Sequence, residues 1–149
     1  MFRARTAALL AVLASMLALP AVATAGSPAL RMQQKVNAFR AKHGLKALHF
    51  SGSLSHSAHR YAQSMMSRGY FGHSSRIHAS RKFRTLGEII EMHRGRRARV
   101  GLALRMWKHS PYHRGLLLSS NFRFAGAGFT TGRYQGHRRT MWVMHFGRK

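Results

Sequence analysis

Two glutamates, Glu88 and Glu91, are the whole acidic complement of a chain that carries 26 lysines and arginines. A net charge of +24 repels itself, and there is no cysteine to cross-link the fold. Apolar packing or a ligand must therefore supply the stability that small exported domains often take from disulfides. At 149 residues there is room for one domain with one modest core. The same charge draws polyanions: lipopolysaccharide, teichoic acid, anionic lipid or nucleic acid. Adaptation to an acidic medium, in which carboxylates lose their solvating charge, explains the composition equally well without any partner.

Residues 1–25 read as a secretory signal. Arg3 and Arg5 form a basic start, Ala7 to Leu19 is apolar, and Ala23-Thr24-Ala25 offers a small-residue cleavage site before Gly26. The apolar run is interrupted by Ser15 and stopped by Pro20, short of the ~20 residues that span a bilayer. The expectation is an exported protein, periplasmic or extracellular, with residues 26–149 as its single domain. Without Arg3 and Arg5 the 26 basic side chains become 24 and the net charge +22.

Along that domain, Gly26-Ser27-Pro28 reads as a linker. Met32, Val36, Phe39 and His43 recur at helical spacing, with Gln33, Lys35, Arg40 and Lys42 turned outward and Gly44 ending the helix. Leu45 to Phe50 is an extended connection. Ser53 is placed to cap a second helix whose buried stripe is Leu54, Ala58, Tyr61, Ala62 and Met65. His56 and His59 lie on its polar face, and Gly69 closes it. Ser74 to Arg84 has no period and reads as a surface loop.

Val100, Ala103, Leu104 and Trp107 give a third amphipathic helix. Pro111 disfavours helix at Ser110 and must end it, so that His113 starts a new turn. Phe124 to Phe129 and Thr140 to Phe146 are strand candidates, joined by a polar turn over Thr131 to His137. The second has large side chains on both faces and is expected to be covered on both. Helices first and strands last predict an α+β layered fold.

Where acidic residues are so scarce, Glu88 and Glu91, three apart, are conspicuous. Glu91 is expected to neutralise neighbouring arginines, and Glu88 to serve a site. Several short blocks stand in order along the chain: Val36 to Arg40 with His43-Gly44-Leu45, then Leu54, Ala58, Ala62 and Met65, Phe71-Gly72-His73, Gly87-Glu88, Trp107 with Ser110-Pro111-Tyr112-His113-Arg114, Gly126-Ala127-Gly128, and Phe146-Gly147. Together they resemble the CAP superfamily, the cysteine-rich secretory, antigen 5 and pathogenesis-related 1 proteins, in a short cysteine-free bacterial form.

The resemblance implies a three-layer α-β-α sandwich with a small central antiparallel sheet, and it brings His73 and His113 together across a cleft beside Glu88. Two neutral imidazoles suit zinc or another divalent ion, and a nearby carboxylate can ligate or orient them. Two departures from the family pattern stand out. The asparagine expected after Gly-Glu is Ile89, and no acidic residue after Glu91 matches a second cleft glutamate. His145 is expected in the core.

Three functions follow. The first is an exported binding module with optional metal at His73 and His113, and a basic surface for an anionic envelope component or lipid. The second is a hydrolase in which the metal activates water and Glu88 is the base, although there is no Gly-x-Ser-x-Gly elbow and no His-Glu-x-x-His pair. The third is a cationic membrane-active or antimicrobial protein, acting through the basic stretches around Arg81 and Arg96 and aromatics such as Tyr112 and Phe122. Export and the lack of a base-reading motif argue against nucleic acid as partner. A monomer at the membrane surface or free in the envelope is expected.

Overall fold

The computed structural model describes residues 26–149; the segment read as an export signal lies outside them. Eight elements follow in order: α1 (Pro28–Ala41), β1 (His49–Phe50), α2 (Gly52–Ser67), β2 (Thr85–Arg94), α3 (Val100–His109), α4 (Pro111–Leu117), β3 (Phe124–Tyr134) and β4 (His137–Arg148). The strands form one sheet in the order β1-β3-β4-β2, antiparallel except for the short parallel β1–β3 pair. α2 covers one face over Ala58, Ala62, Met65, Met141 and Val143. The other face takes α1, α3 and α4 over Met32, Val36, Trp107, Leu117, Trp142, Met144 and Phe146. This is the expected α-β-α sandwich. Among the described residues no helix is long and apolar enough to cross a membrane.

Several local expectations change. Ser27 is not linker but the cap of α1, its hydroxyl accepting from the Leu30 amide, with Pro28 in the first turn. Arg40 and Gln33 point inward, not outward, and His43 is exposed. The Arg40 guanidinium donates to the carbonyls of Lys46, Leu117 and Ser119, which satisfies a charge that is 1% exposed and ties α1 to the end of α4. Ser51, not Ser53, caps α2. The Ser53 hydroxyl instead accepts from the Ser80 amide of the loop beyond.

Leu86 to Glu91, which shows no period in the sequence, is the middle of the ten-residue β2. Both predicted strands are longer than expected. The turn between them shrinks to Gln135-Gly136, whose φ values of 48° and 79° are those of the tight hairpin turns that match strand twist.

The sheet and α2 meet along β3 with almost no gap. A Cβ on Gly126 would collide with the Ser55 backbone nitrogen, and one on Gly128 with that of His59. At this approach three polar groups four residues apart on the α2 side reach carbonyls two apart on β3. The Ser51 amide donates to Ala125 (2.9 Å), the Ser55 hydroxyl to Ala127 (2.7 Å), and His59 Nδ1 to Phe129 (2.9 Å). One helical turn of four residues advances about 6.0 Å and two strand residues about 6.6 Å, so the two ladders stay in step.

Gly128→Ala should therefore force the α2 backbone off the sheet and cost about 2 kcal/mol or more. Gly52→Ala, where a Cβ meets open space, should be neutral or mildly stabilising. Urea unfolding of the two variants beside the wild type checks this.

Candidate functional site

β2 is an edge strand, so elements from both faces of the sheet can meet beside it. On a strand, residues three apart point to opposite faces. Glu88 lies opposite His145 of β4 and faces α2, whereas Glu91 lies opposite Trp142 and faces the α1/α3 layer. The two glutamates therefore belong to different sites.

Glu88 is buried, and both of its oxygens are engaged. Oε1 accepts from His73 Nδ1 (2.9 Å) and from the Ser74 amide (2.8 Å), and Oε2 from His145 Nε2 (2.9 Å). Burial works to raise its pKa. The hydrogen bonds from His145, the Ser74 amide and His73 together outweigh that and hold the carboxyl below its ordinary value. An ionised carboxylate only accepts, so each nitrogen facing it carries the proton. The lone pair of a neutral His73 is left on Nε2 of a half-exposed ring, and that of His145 on Nδ1, which is buried without a partner.

Gly87 places α4 against this strand, since a Cβ there would strike the Phe122 ring and Leu116. Pro111 opens α4, as the sequence indicated, and His113 follows in its first turn. The His73 and His113 ring centroids are 6.2 Å apart, with Tyr112 5.9 Å from His73 and 64% exposed. Burial, and secondarily the neighbouring His73, lowers the His113 pKa, which keeps this imidazole neutral into mild acid.

Neutral imidazole nitrogens are donors that zinc and similar divalent ions accept, and His73 and His113 are the residues that could hold such an ion. Among the described residues no three of His, Cys, Asp or Glu converge as a metal-holding group.

His73, Glu88 and His113 thus come together as expected. One expectation does not hold. Among the described residues Glu91 pairs with no arginine: it is buried, and both its oxygens lie 3.0 Å from His93 Nδ1. Burial there wins over the histidine and pushes its carboxyl up, opposite to Glu88. His145 is a core residue as expected, but it is also a partner of Glu88; the register that pairs them crosses 57 residues and leaves no local trace. Ile89, standing where the family pattern has asparagine, points away into the α1/α3 core, so it leaves no gap beside the carboxylate.

Next to this cluster, a cleft of about 590 Å³ opens between α2 and the 70–78 loop. Arg60, Arg68 and Arg76 line it with His56, His78 and His73. Tyr61 and Tyr70 hold the loop, donating to the carbonyls of Gly72 (2.8 Å) and His73 (3.1 Å).

A model of the family described as "CAP: Cysteine-rich secretory protein family" matches residues 33–146. The uncharacterised protein YkwD of Bacillus subtilis is 31% identical over 108 residues, 66% of this chain and 41% of that protein; the chain thus spans about two fifths of that relative's length. An outer surface protein of Borrelia burgdorferi superposes with a TM-score of 0.65 at 16% identity, over 80% of this chain and 91% of that one. An extracellular protein containing an SCP domain from Bacillus anthracis gives 0.60 at 23% identity, over 82% of this chain and 40% of that one. These two share the fold. With most of residues 33–146 in the helices and strands just described, the chain belongs to the CAP family of cysteine-rich secretory proteins.

Proposed function

We propose that this protein is an exported binding module whose cleft takes the anionic group of an envelope ligand or lipid, with a divalent ion held between His73 Nε2 and His113. The observation that carries this reading is the lining of the cleft. Three arginines face it, while the one carboxylate nearby, Glu88, has both oxygens turned to histidines and a backbone amide. An anion entering the cleft meets three arginines against a single buried carboxylate whose oxygens are turned away to their own donors.

The same geometry disfavours hydrolysis. A general base needs a free lone pair and a pKa near the working pH. Glu88 has three donors and a depressed pKa, which makes it a group that orients His73 and raises the basicity of its outer nitrogen.

Calorimetry with zinc at pH 7.5 tests the metal. Wild type is expected to bind one equivalent, and a His73→Ala, His113→Ala double variant none; equal heats from both would remove the metal from the proposal. Because the His113 pKa is lowered, its imidazole stays neutral below the ordinary histidine value of about 6.5. Zinc should accordingly be retained at pH 6 and released at pH 4.

Glu88→Gln tests the carboxylate. A group whose folded pKa is depressed stabilises the fold above its unfolded value of about 4.3, and that stability is lost as pH falls through the folded pKa. At pH 7 the variant should be about 2–4 kcal/mol less stable, since a neutral amide oxygen replaces a charge held by three donors. The gap should narrow towards pH 3, read by urea unfolding at the two pH values.

A further inference from the structure

A second arginine array lies at the other end of the sheet. Six residues along β2, about 20 Å from Glu88, Arg94 stands directly opposite Arg139 of β4. On the reverse face Arg133 of β3 stands opposite Arg138. The loop after β2 adds Arg96, Arg97 and Arg99. These seven cationic side chains are all arginine, with no lysine or carboxylate among residues 94–99 and 133–139. Like charges directly opposite on neighbouring strands destabilise a sheet. Nothing in the chain offsets them, because both of its carboxylates are spent on histidines. The Arg139 Nε is buried without a hydrogen-bond partner.

The array is also held in place. Gly95 turns the chain at φ 93°, and its amide donates to the Arg138 carbonyl (2.9 Å). The Thr140 hydroxyl lies 2.9 Å from the Gly95 carbonyl and 3.3 Å from that of Arg97. His93 Nε2 reaches the same Arg97 carbonyl (3.0 Å), while Nδ1 is gripped by buried Glu91. The second glutamate of the chain thus anchors, through His93, the loop that carries three arginines. A concavity of about 360 Å³ opens among Arg94, Gly95, Arg96, Arg97 and Arg99.

We propose that this end of the sheet is a second binding surface, separate from the cleft, for a linear chain of phosphate groups such as a polyphosphate or polyol-phosphate polymer. Guanidinium groups bind phosphate through paired donors, which lysine does not, and a surface built only of arginine selects that geometry. A pre-set loop loses little freedom on binding. The large exposed apolar side chains, Leu30, Phe50, Tyr70, Met106 and Tyr112, all lie on other segments, so this surface has nothing to insert into a bilayer. Its one aromatic, Tyr134, is half-buried, which leaves no platform for stacking bases.

The test titrates the chain with long-chain inorganic polyphosphate over a range of salt concentrations. Three variants accompany the wild type: Arg94→Gln with Arg96→Gln, Arg97→Gln and Arg138→Gln; the same four changed to lysine; and a control that removes equal charge through Lys35→Gln, Lys42→Gln, Lys46→Gln and Lys82→Gln. All the substituted arginines are exposed, so folding, checked by thermal unfolding, should persist. The glutamine variant should bind at least tenfold more weakly, with a slope of log affinity against log salt shallower by about 3. The lysine variant should lose severalfold affinity at unchanged charge, and the control no more than about twofold.

Equal losses in the glutamine variant and the control would overturn the proposal in favour of diffuse charge. Full affinity in the lysine variant would overturn the paired-donor geometry. Tighter binding of single-stranded DNA of matched charge, or of vesicles rich in phosphatidylglycerol, would replace the proposed partner. None of these readouts involves His73 or His113, so the cleft can fail its own tests without affecting this one.

Discussion

The missing Cβ atoms of Gly126 and Gly128 set the distance on which this fold depends. With α2 seated on the backbone of β3, the Ser51 amide, the Ser55 hydroxyl and the His59 ring satisfy three strand carbonyls, and the small residues Ala58 and Ala62 can close the core beneath. Lifting the helix by even a methyl group would strand those carbonyls and open a gap along the whole face. It would also disturb the cleft, because the same helix carries Arg60 and Tyr61, and ends at Arg68, on the side that faces the 70–78 loop. A packing requirement at the centre of the sheet thereby determines the geometry of a surface site.

Scarcity of carboxylates gives the molecule its second organising rule. In an ordinary domain acidic residues are spread over the surface and pair with lysine and arginine. Here both sit on one strand, three residues apart, and the alternation of the strand sends them to opposite layers. Each is buried and each takes histidine as partner, but their environments drive them apart. Three donors keep Glu88 charged, whereas Glu91 has a single ring nitrogen to set against its desolvation. The first orients the cleft histidine, and the second steadies the arginine loop through His93.

Helices are the most legible part of the sequence, because the apolar stripes of α2 and α3 repeat at helical spacing; the period selects the buried residues of α3, and those of α2 except that Tyr61 is half-buried and Ser57 is buried in addition. Arg40 misleads because its position on the helix says nothing about three carbonyls that arrive from distant loops. β2 is hidden for a related reason. It is paired on one side only and alternates Glu88, Ile90 and Met92 against Gly87, Ile89 and Glu91, so apolar and acidic residues fall on both faces and no period emerges. The three cleft residues are recognisable through short motifs, whereas the structural meaning of those motifs is not. Gly87 admits α4, Gly126 and Gly128 admit α2, and Pro111 separates Trp107 in the core from His113 at the surface. A buried strand histidine such as His145 reads the same in sequence whether it fills space or holds a carboxylate, and only the pairing register distinguishes the two.

The ladder from α2 to β3 has a consequence for how these molecules behave in a crowd. A strand with unpaired carbonyls invites a strand from a neighbouring molecule. Mutual repulsion between highly cationic copies holds that tendency in check at low ionic strength, but at physiological salt the repulsion reaches only about 8 Å. Beyond the two-residue β1, the outer margin of β3 is already occupied at Ala127 and Phe129 by helix side chains, so that margin is closed to a neighbour's strand by hydrogen bonds rather than by charge, and β2 is left as the open edge.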